Sequence, residues 1–324
     1  MTATATKRGR KVEDAGSSVP EQYKFSGHET FACRFAWMPK IYDLVQRIPQ
    51  AWSDDDLAMI EMGLGKNMVH SAKFWASAMG LVSGKSGKDV AITRFGEQLF
   101  GERGFDPYIE HSATPWLLHW KLSSNLAMPL FAWHFMLNRW PYPEFTQQDA
   151  LRAFERESIR LGHNHSEITL SQHLDVLLHT YLPSRNAVSI EDSLDGPLTD
   201  LTLLQTVGER RVEGSRRELV YSLRRGPKPE ISAALFAFAV DDYWRMRRSG
   251  EATISLRELS VGDFSPGKVF LLSEEDVRIR LEAGADAERG FDYIPSAIDG
   301  RIVRPRSPAK REPDLLRTVY GAKR

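Results

Sequence analysis

Apolar residues recur at helical spacing along most of this chain, and short alternating runs interrupt them. The clearest stretch is 66–79. At about 100° per residue, Met68, Val69, Ala72, Trp75, Ala76 and Met79 fall on one side of a helix, which predicts a core face. Lys66, His70, Lys73 and Ser77 fall on the other side, flanked by Asn67 and Phe74. The segment before it, Asp54 to Ile60, is acidic and apolar-patterned and ends in the turn Met62-Gly63-Leu64-Gly65. Ser53 is its expected N-cap, with three aspartates where the helix dipole favours negative charge. After the second helix, Leu81-Val82-Ser83 and Val90-Ala91-Ile92-Thr93 predict a hairpin around the turn Gly84 to Asp89. Helix, glycine turn, helix and hairpin is the order of a winged helix-turn-helix. The expected DNA contacts are Lys66, Asn67, His70, Lys73 and Ser77 on the free helix face, Lys85 and Lys88 at the wing tip, and Arg94 beside it.

The remaining pattern is mostly helical. An aromatic-rich segment leads into a helix through Arg34, Phe35, Trp37, Ile41, Leu44 and Val45. Trp116, Trp120, Trp133 and Trp140 predict core helices, with a stacking platform for unpaired bases as the sharper alternative. Pro141-Tyr142-Pro143 marks a boundary. A second helix-turn-helix-like passage follows. Thr146 caps a helix to Ser158, Gly162-His163-Asn164-His165 turns with Asn in a left-handed conformation, and Ser166 caps Glu167 to Tyr181. In that last helix Leu170, Leu174, Leu177, Leu178 and Tyr181 share a face opposite Gln172, Asp175 and His179. Strands over 203–207 and 219–223 would carry a second wing, its turn running from Glu209 to Arg217 with Arg210, Arg211, Arg216 and Arg217 as DNA contacts. Pro229 is expected in the first turn of a helix to Arg247. Ile254 to Glu282 predicts a short strand, a Ser265-Pro266-Gly267 turn, a strand over 269–272 and a helix capped by Ser273. The fold class is mainly α with small β wings (α+β), winged helix-turn-helix modules packed with further helices. The expected divisions are a disordered basic arm at 1–22, a winged domain at 23–140, a helical, winged-helix-like domain at 141–300 and a basic tail at 301–324.

Composition narrows this picture. The chain has 324 residues and a formal net charge of zero, so positive charge is local and not a general coat. Residues 66–94 set Lys66, Lys73, Lys85, Lys88 and Arg94 against Asp89 alone, and residues 210–228 set seven Lys or Arg against Glu213 and Glu218. One cysteine, Cys33, excludes an internal disulfide and a multi-cysteine zinc site, and fits a reducing cytoplasm. The first twenty residues lack the apolar centre of a secretory signal, and the longest apolar run, Ala233 to Val240, is too short to span a bilayer.

Chemistry is sparse. No phosphate-cradling Gly-rich loop ending in Gly-Lys-Ser/Thr and no zinc-protease spacing occurs. His28-Glu29 is the best catalytic candidate by residue type, because an adjacent imidazole and carboxylate can move a proton or hold a divalent cation. Arg34 stands near enough in sequence to meet a phosphate, and Asp43, Asp54–Asp56 and Glu61 could complete a metal site. The bland reading of the same residues is a helix entrance in which Glu29 pairs with Arg34.

Phe25-Ser26-Gly27-His28-Glu29-Thr30-Phe31 with Arg34 and Trp37-Met38-Pro39-Lys40, and Gly63 to Val69 with Lys73-Phe74-Trp75, resemble a bacterial family first catalogued as a domain of unknown function. Its members sit in phage-defence operons that put sulfur into the DNA backbone, and the resemblance is to the DNA-nicking component of the single-stranded phosphorothioation (Ssp) system. The resemblance implies a winged-helix protein that nicks one strand of duplex DNA with Mg²⁺ or Mn²⁺. Its implied partners are double-stranded DNA, a cysteine desulfurase, an ATPase and a sulfur-transfer protein, with no membrane; a homodimer is left open. A DNA-binding regulator or targeting scaffold without catalysis is the alternative.

Overall fold

The computed structural model describes residues 22–84, 88–183, 196–211, 217–283, 291–296, 298–304 and 315–321. All but the last residue of the expected arm, Lys85, Arg216 and most of the expected tail lie outside them. The chain begins with α1 (Trp37–Arg47), α2 (Asp55–Met62) and α3 (Lys66–Ala78), then the strands β1 (Val82–Ser83) and β2 (Ala91–Ile92) and the helix α4 (Arg94–Phe100). Next come α5 (Ala113–Ser124) and α6 (Phe131–His134), which runs on into a π-helical turn over Phe135–Arg139. The strand β3 (Glu144–Thr146) leads to α7 (Gln147–Arg160) and α8 (Glu167–Tyr181). The long ribbon β4 (Leu204–Arg211) and β5 (Arg217–Leu223) precedes α9 (Ala233–Arg247). The last part holds β6 (Thr253–Ser255), α10 (Leu256–Val261), α11 (Pro266–Val269), α12 (Glu274–Ala283), β7 (Asp292–Ile294), β8 (Arg301–Val303) and α13 (Leu315–Val319).

The fold is therefore mixed: helices carry most of it, and the described strands form three small antiparallel sheets, ordered β1-β2, β3-β5-β4 and β6-β8-β7. Short polar side chains start the helices as N-cap chemistry requires. Thr146 and Asp149 form a reciprocal capping box on α7, and Ser166 and Ser232 cap α8 and α9. Several boundaries differ from the sequence reading. Asp54, not Ser53, caps α2. The first helix starts at Trp37, so Arg34 and Phe35 precede it. Pro229 lies in a turn before Ser232 and not inside α9. Residues 269–272 are the end of α11 and a turn with Leu271 at φ +54°, not a strand. Arg301–Val303, expected in a basic tail, is the middle strand between β6 and β7.

One buried apolar cluster runs from Tyr23 to Val319 and takes in residues on both sides of Pro141-Tyr142-Pro143. Trp116, Trp120, Trp133 and Trp140 are all buried, which is the core reading and not the stacking platform. Polar links cross the same boundary. Lys121 Nζ and Trp120 Nε1 both donate to Asp242, at 2.6 and 2.8 Å, and the Lys121 ammonium stands 5.3 Å from the rings of Phe95 and Phe238. No helix among the described residues is long and apolar enough to cross a membrane.

Candidate functional site

Three structures carry the residues singled out above: the α2–α3 unit with its hairpin, the Gly27–Thr30 loop, and the β4–β5 ribbon. In the first, the core face of α3 is as periodicity predicts: Val69, Ala72, Trp75, Ala76 and Met79 are fully buried. The Trp75 indole N–H donates to the Phe31 carbonyl at 3.0 Å, which ties α3 to the segment before α1. Gly63 ends α2 in a left-handed conformation, so the chain turns sharply enough to begin α3 at Lys66. The hairpin pairs Val82 with Ile92 and Ser83 with Ala91. Gly84 closes it at φ +95°, where a Cβ would lie 2.2 Å from the Asp89 carbonyl oxygen, so only glycine fits.

The other face of α3 departs from expectation. Asp55, the first residue of α2, reaches across to it. Its carboxylate accepts from His70 Nε2 at 2.7 Å and Lys73 Nζ at 3.2 Å, and lies 3.6 Å from Lys66 Nζ. The His70 hydrogen bond, aided by Lys73, pulls the Asp55 carboxyl down to about 2. Lys73 is only 8% exposed and stands 6.0 Å from the Trp52 ring. The expectation that Lys73 faces DNA is thus corrected: its stem packs against the protein and its charge is answered internally. His70 is half-buried on the same carboxylate. Ser77 donates back to the Lys73 carbonyl at 3.0 Å. Lys66, Asn67, Lys88 and Arg94 remain exposed.

The loop carrying His28 and Glu29 is held in an uncommon backbone conformation. Gly27, Glu29 and Thr30 have φ of +108°, +48° and +61°, and positive φ is costly for a β-branched residue such as Thr30. His28 is 3% exposed, beneath the edge of Phe74 from α3. Its Nδ1 stands 3.2 Å from the Thr30 amide nitrogen, and its Nε2 shares a 3.0 Å hydrogen bond with Nδ1 of His173 on α8. The second nitrogen of His173 stands 3.1 Å from the Ala132 amide nitrogen; two neutral rings hold two protons and share one of them, so only one of the two backbone N–H groups finds a lone pair. Burial lowers His28 to about 4 and pushes His173 well below the usual imidazole range, so both rings are neutral at pH 7.

This geometry tests the metal expectation. Two neutral rings have two lone pairs between them: one accepts the ring N–H of the other histidine and one accepts a backbone N–H, so neither is left for a cation. Glu29 is exposed. A divalent ion does not fit on His28. The other expected ligands are spent or apart: Asp43 takes a bidentate pair from Arg47, which also reaches Glu61 at 3.4 Å, and Asp54 caps α2. Among the described residues no group of three or more His, Cys, Asp or Glu converges as a metal site. Arg34 is half-buried, its guanidinium 5.8 Å from the centre of the Trp37 ring.

His173 was not anticipated, though its signal was present. It is three residues after Leu170 and four before Leu177, on the buried stripe of α8. The turn before α8 also differs, since Gly162, at φ +80°, takes the left-handed position expected for Asn164, and His165 stacks on Phe25 at 3.8 Å. Cys33 is buried, and burial raises its thiol far above the ordinary range.

The β4–β5 ribbon is longer than its sequence suggests, because Glu209, Arg210, Arg211 and Arg217 belong to the strands and not to the turn. Arg210 lies 3.7 Å from Glu144 and 3.6 Å from Asp149, while Arg217 lies 3.6 Å from Glu209.

The family model described as a protein of unknown function, DUF4007, matches residues 25–320. A crystal structure of magnesium-ion-bound SspB is similar to the chain with a TM-score of 0.78 and 26% identity, covering 97% of this chain and 91% of that one. Another SspB crystal structure gives a TM-score of 0.77 and 26% identity, covering 95% and 90%. No curated protein matches the chain.

Proposed function

The chain belongs to the DUF4007 family, and from that premise we propose that it is the DNA-binding, strand-nicking component of a phosphorothioation-based phage-defence system. The observation that carries this reading is the SspB-like fold over 97% of the chain at 26% identity. The order α2, glycine turn, α3 and hairpin supports naming the first unit a winged helix. Its exposed Lys66, Asn67, Lys88 and Arg94 would meet the duplex, with the ribbon as a second contact. Such contacts fix register on the backbone and position one phosphodiester. Replacing a non-bridging phosphate oxygen by sulfur needs strand access, which a nick supplies. In this reading double-stranded DNA is the substrate, and a desulfurase, an ATPase and a sulfur-transfer protein are the partners.

Within the Gly27–Thr30 loop, Glu29 is the group available to DNA. His28 acts as a positioning residue, because its ring pins the loop to α8. Any Mg²⁺ or Mn²⁺ that nicking requires is held away from His28. The test is supercoiled plasmid incubated with the full chain and Mn²⁺. Open circles that vanish with chelator, and are lost in Glu29→Gln at unchanged melting temperature, support the reading. Open circles undiminished in Glu29→Gln remove Glu29 from the chemistry. Plasmid retardation with no open circle at all favours a second reading, a DNA-targeting scaffold, which the locked, neutral His28–His173 pair also favours.

A further inference from the structure

The ribbon divides its arginines between two faces. Directly opposed residues of an antiparallel pair project to the same side, and neighbours along a strand project to opposite sides. The register pairs Glu209 with Leu219, Arg210 with Glu218 and Arg211 with Arg217. Arg210 and Glu218 therefore share one face, and Glu209, Arg211, Leu219 and Arg217 share the other. The ion pairs agree with this division. Arg210 meets Glu144, which is paired with Ser222 on its own face, and Asp149 of α7, whereas Arg217 meets Glu209.

The division follows from a bulge. The register shifts between Thr206 and Gly208, leaving Val207 as an extra, exposed residue. A bulge reverses which parity of residues faces each side and bends the strand beyond it. Without it, Glu209 would stand against Glu218 and Arg210 against Arg217. With it, Arg210 is surrounded by acids and Arg211 is set directly against Arg217.

Like charges directly opposed across a sheet destabilise it. Arg211 has no ionic partner among the described residues, and Arg217 has one carboxylate, Glu209 at 3.6 Å, where Arg210 has two, at 3.6 and 3.7 Å. Both arginines are exposed. With their backbones one strand spacing apart, about 5 Å, two arginines on one face can bring both guanidinium forks to the tetrahedral oxygens of one phosphate. A two-stranded ribbon is also narrow enough to follow a DNA groove. We propose that Arg211 and Arg217 clamp one phosphate of a nucleic-acid backbone, and that Arg210, on the opposite face, anchors the ribbon and makes no nucleic-acid contact. This rests on the DNA-binding reading above.

The experiment is a salt titration of duplex binding by the full chain, its Arg210→Ala variant and the double variant Arg211→Ala, Arg217→Ala. One lost phosphate contact lowers the steepness of the log-log salt dependence by about 0.9. The double variant is expected to show that loss and bind about tenfold more weakly, as for one charge-assisted contact. Arg210→Ala is expected to keep the parent slope. Parent binding with an unchanged slope in the double variant overturns the clamp and leaves DNA binding intact. An equal slope change in Arg210→Ala overturns the division of faces. A parent chain that does not bind duplex at all removes the DNA reading itself, and polyglutamate competing as well as duplex would assign the pair to an acidic protein partner instead.

Discussion

Two basic elements of this chain look alike as strings of residues and behave differently in the fold. On α3, Lys66, His70 and Lys73 stand at helical spacing and converge on one carboxylate, Asp55, supplied by the helix before it. On the ribbon, Arg211 and Arg217 are set opposite each other with Glu209 beside Arg217, and Glu144 and Asp149 stand around Arg210 on the opposite face. A cation count treats the two as equal. The difference is where the nearest carboxylate stands in three dimensions: on α3, Asp55 ties Lys73 and His70 into a structural joint, and on the ribbon, Arg211 has no ionic partner among the described residues. Such an element has more to gain from an anionic partner than a completed one, because an anion relieves the repulsion between its directly opposed like charges.

Variants sharpen the contrast in order of expected effect. Trp75→Ala, on the buried back of α3, should cost about 3–5 kcal/mol in denaturant unfolding, since it removes a large ring with no exposure and its bond to Phe31. Asp55→Asn should cost ~1–3 kcal/mol at neutral pH, below the figure for a sealed pair because the Asp55 side chain is 32% exposed. Its sign with pH is definite. The folded carboxyl, at about 2, titrates below its unfolded value, so its contribution is complete above the unfolded value, fades as pH falls from there towards 2, and should be missing from the acid limb of the variant. Lys73→Ala should cost about 1 kcal/mol through the lost charge-assisted bond, whereas Lys66→Ala, with a side chain 62% exposed, should change stability by no more than about 0.5 kcal/mol. Equal losses for Lys66 and Lys73 in thermal or denaturant melts would erase the distinction between a joint and a contact surface.

The parts legible in the sequence are those decided locally. The core stripe of α3 follows from its own 3.6-residue period, and Thr146, Ser166 and Ser273 announce the helices they start through their own side chains. What escaped is decided by neighbours distant along the chain. Periodicity says which side of α3 turns from its core but not that Asp55 will cover it. Alternation along β4 assigns faces correctly only as far as Thr206, because one extra residue, Val207, inverts every assignment after it. The basic residues from Glu209 onward read as a turn, since charge suggested solvent and solvent suggested loop, while the backbone continued as strand. His28 was legible as important but not as buried, because the ring that holds it lies 145 residues away.

The sealed thiol of Cys33 has a consequence for how sulfur could move. A sulfur relay needs an accessible, deprotonated cysteine to accept a persulfide and pass it on. This chain's single cysteine is buried and stays protonated through the physiological range. Within the assembly proposed above, the one cysteine of this chain is therefore not placed to take up a sulfane atom, and its thiol serves the core.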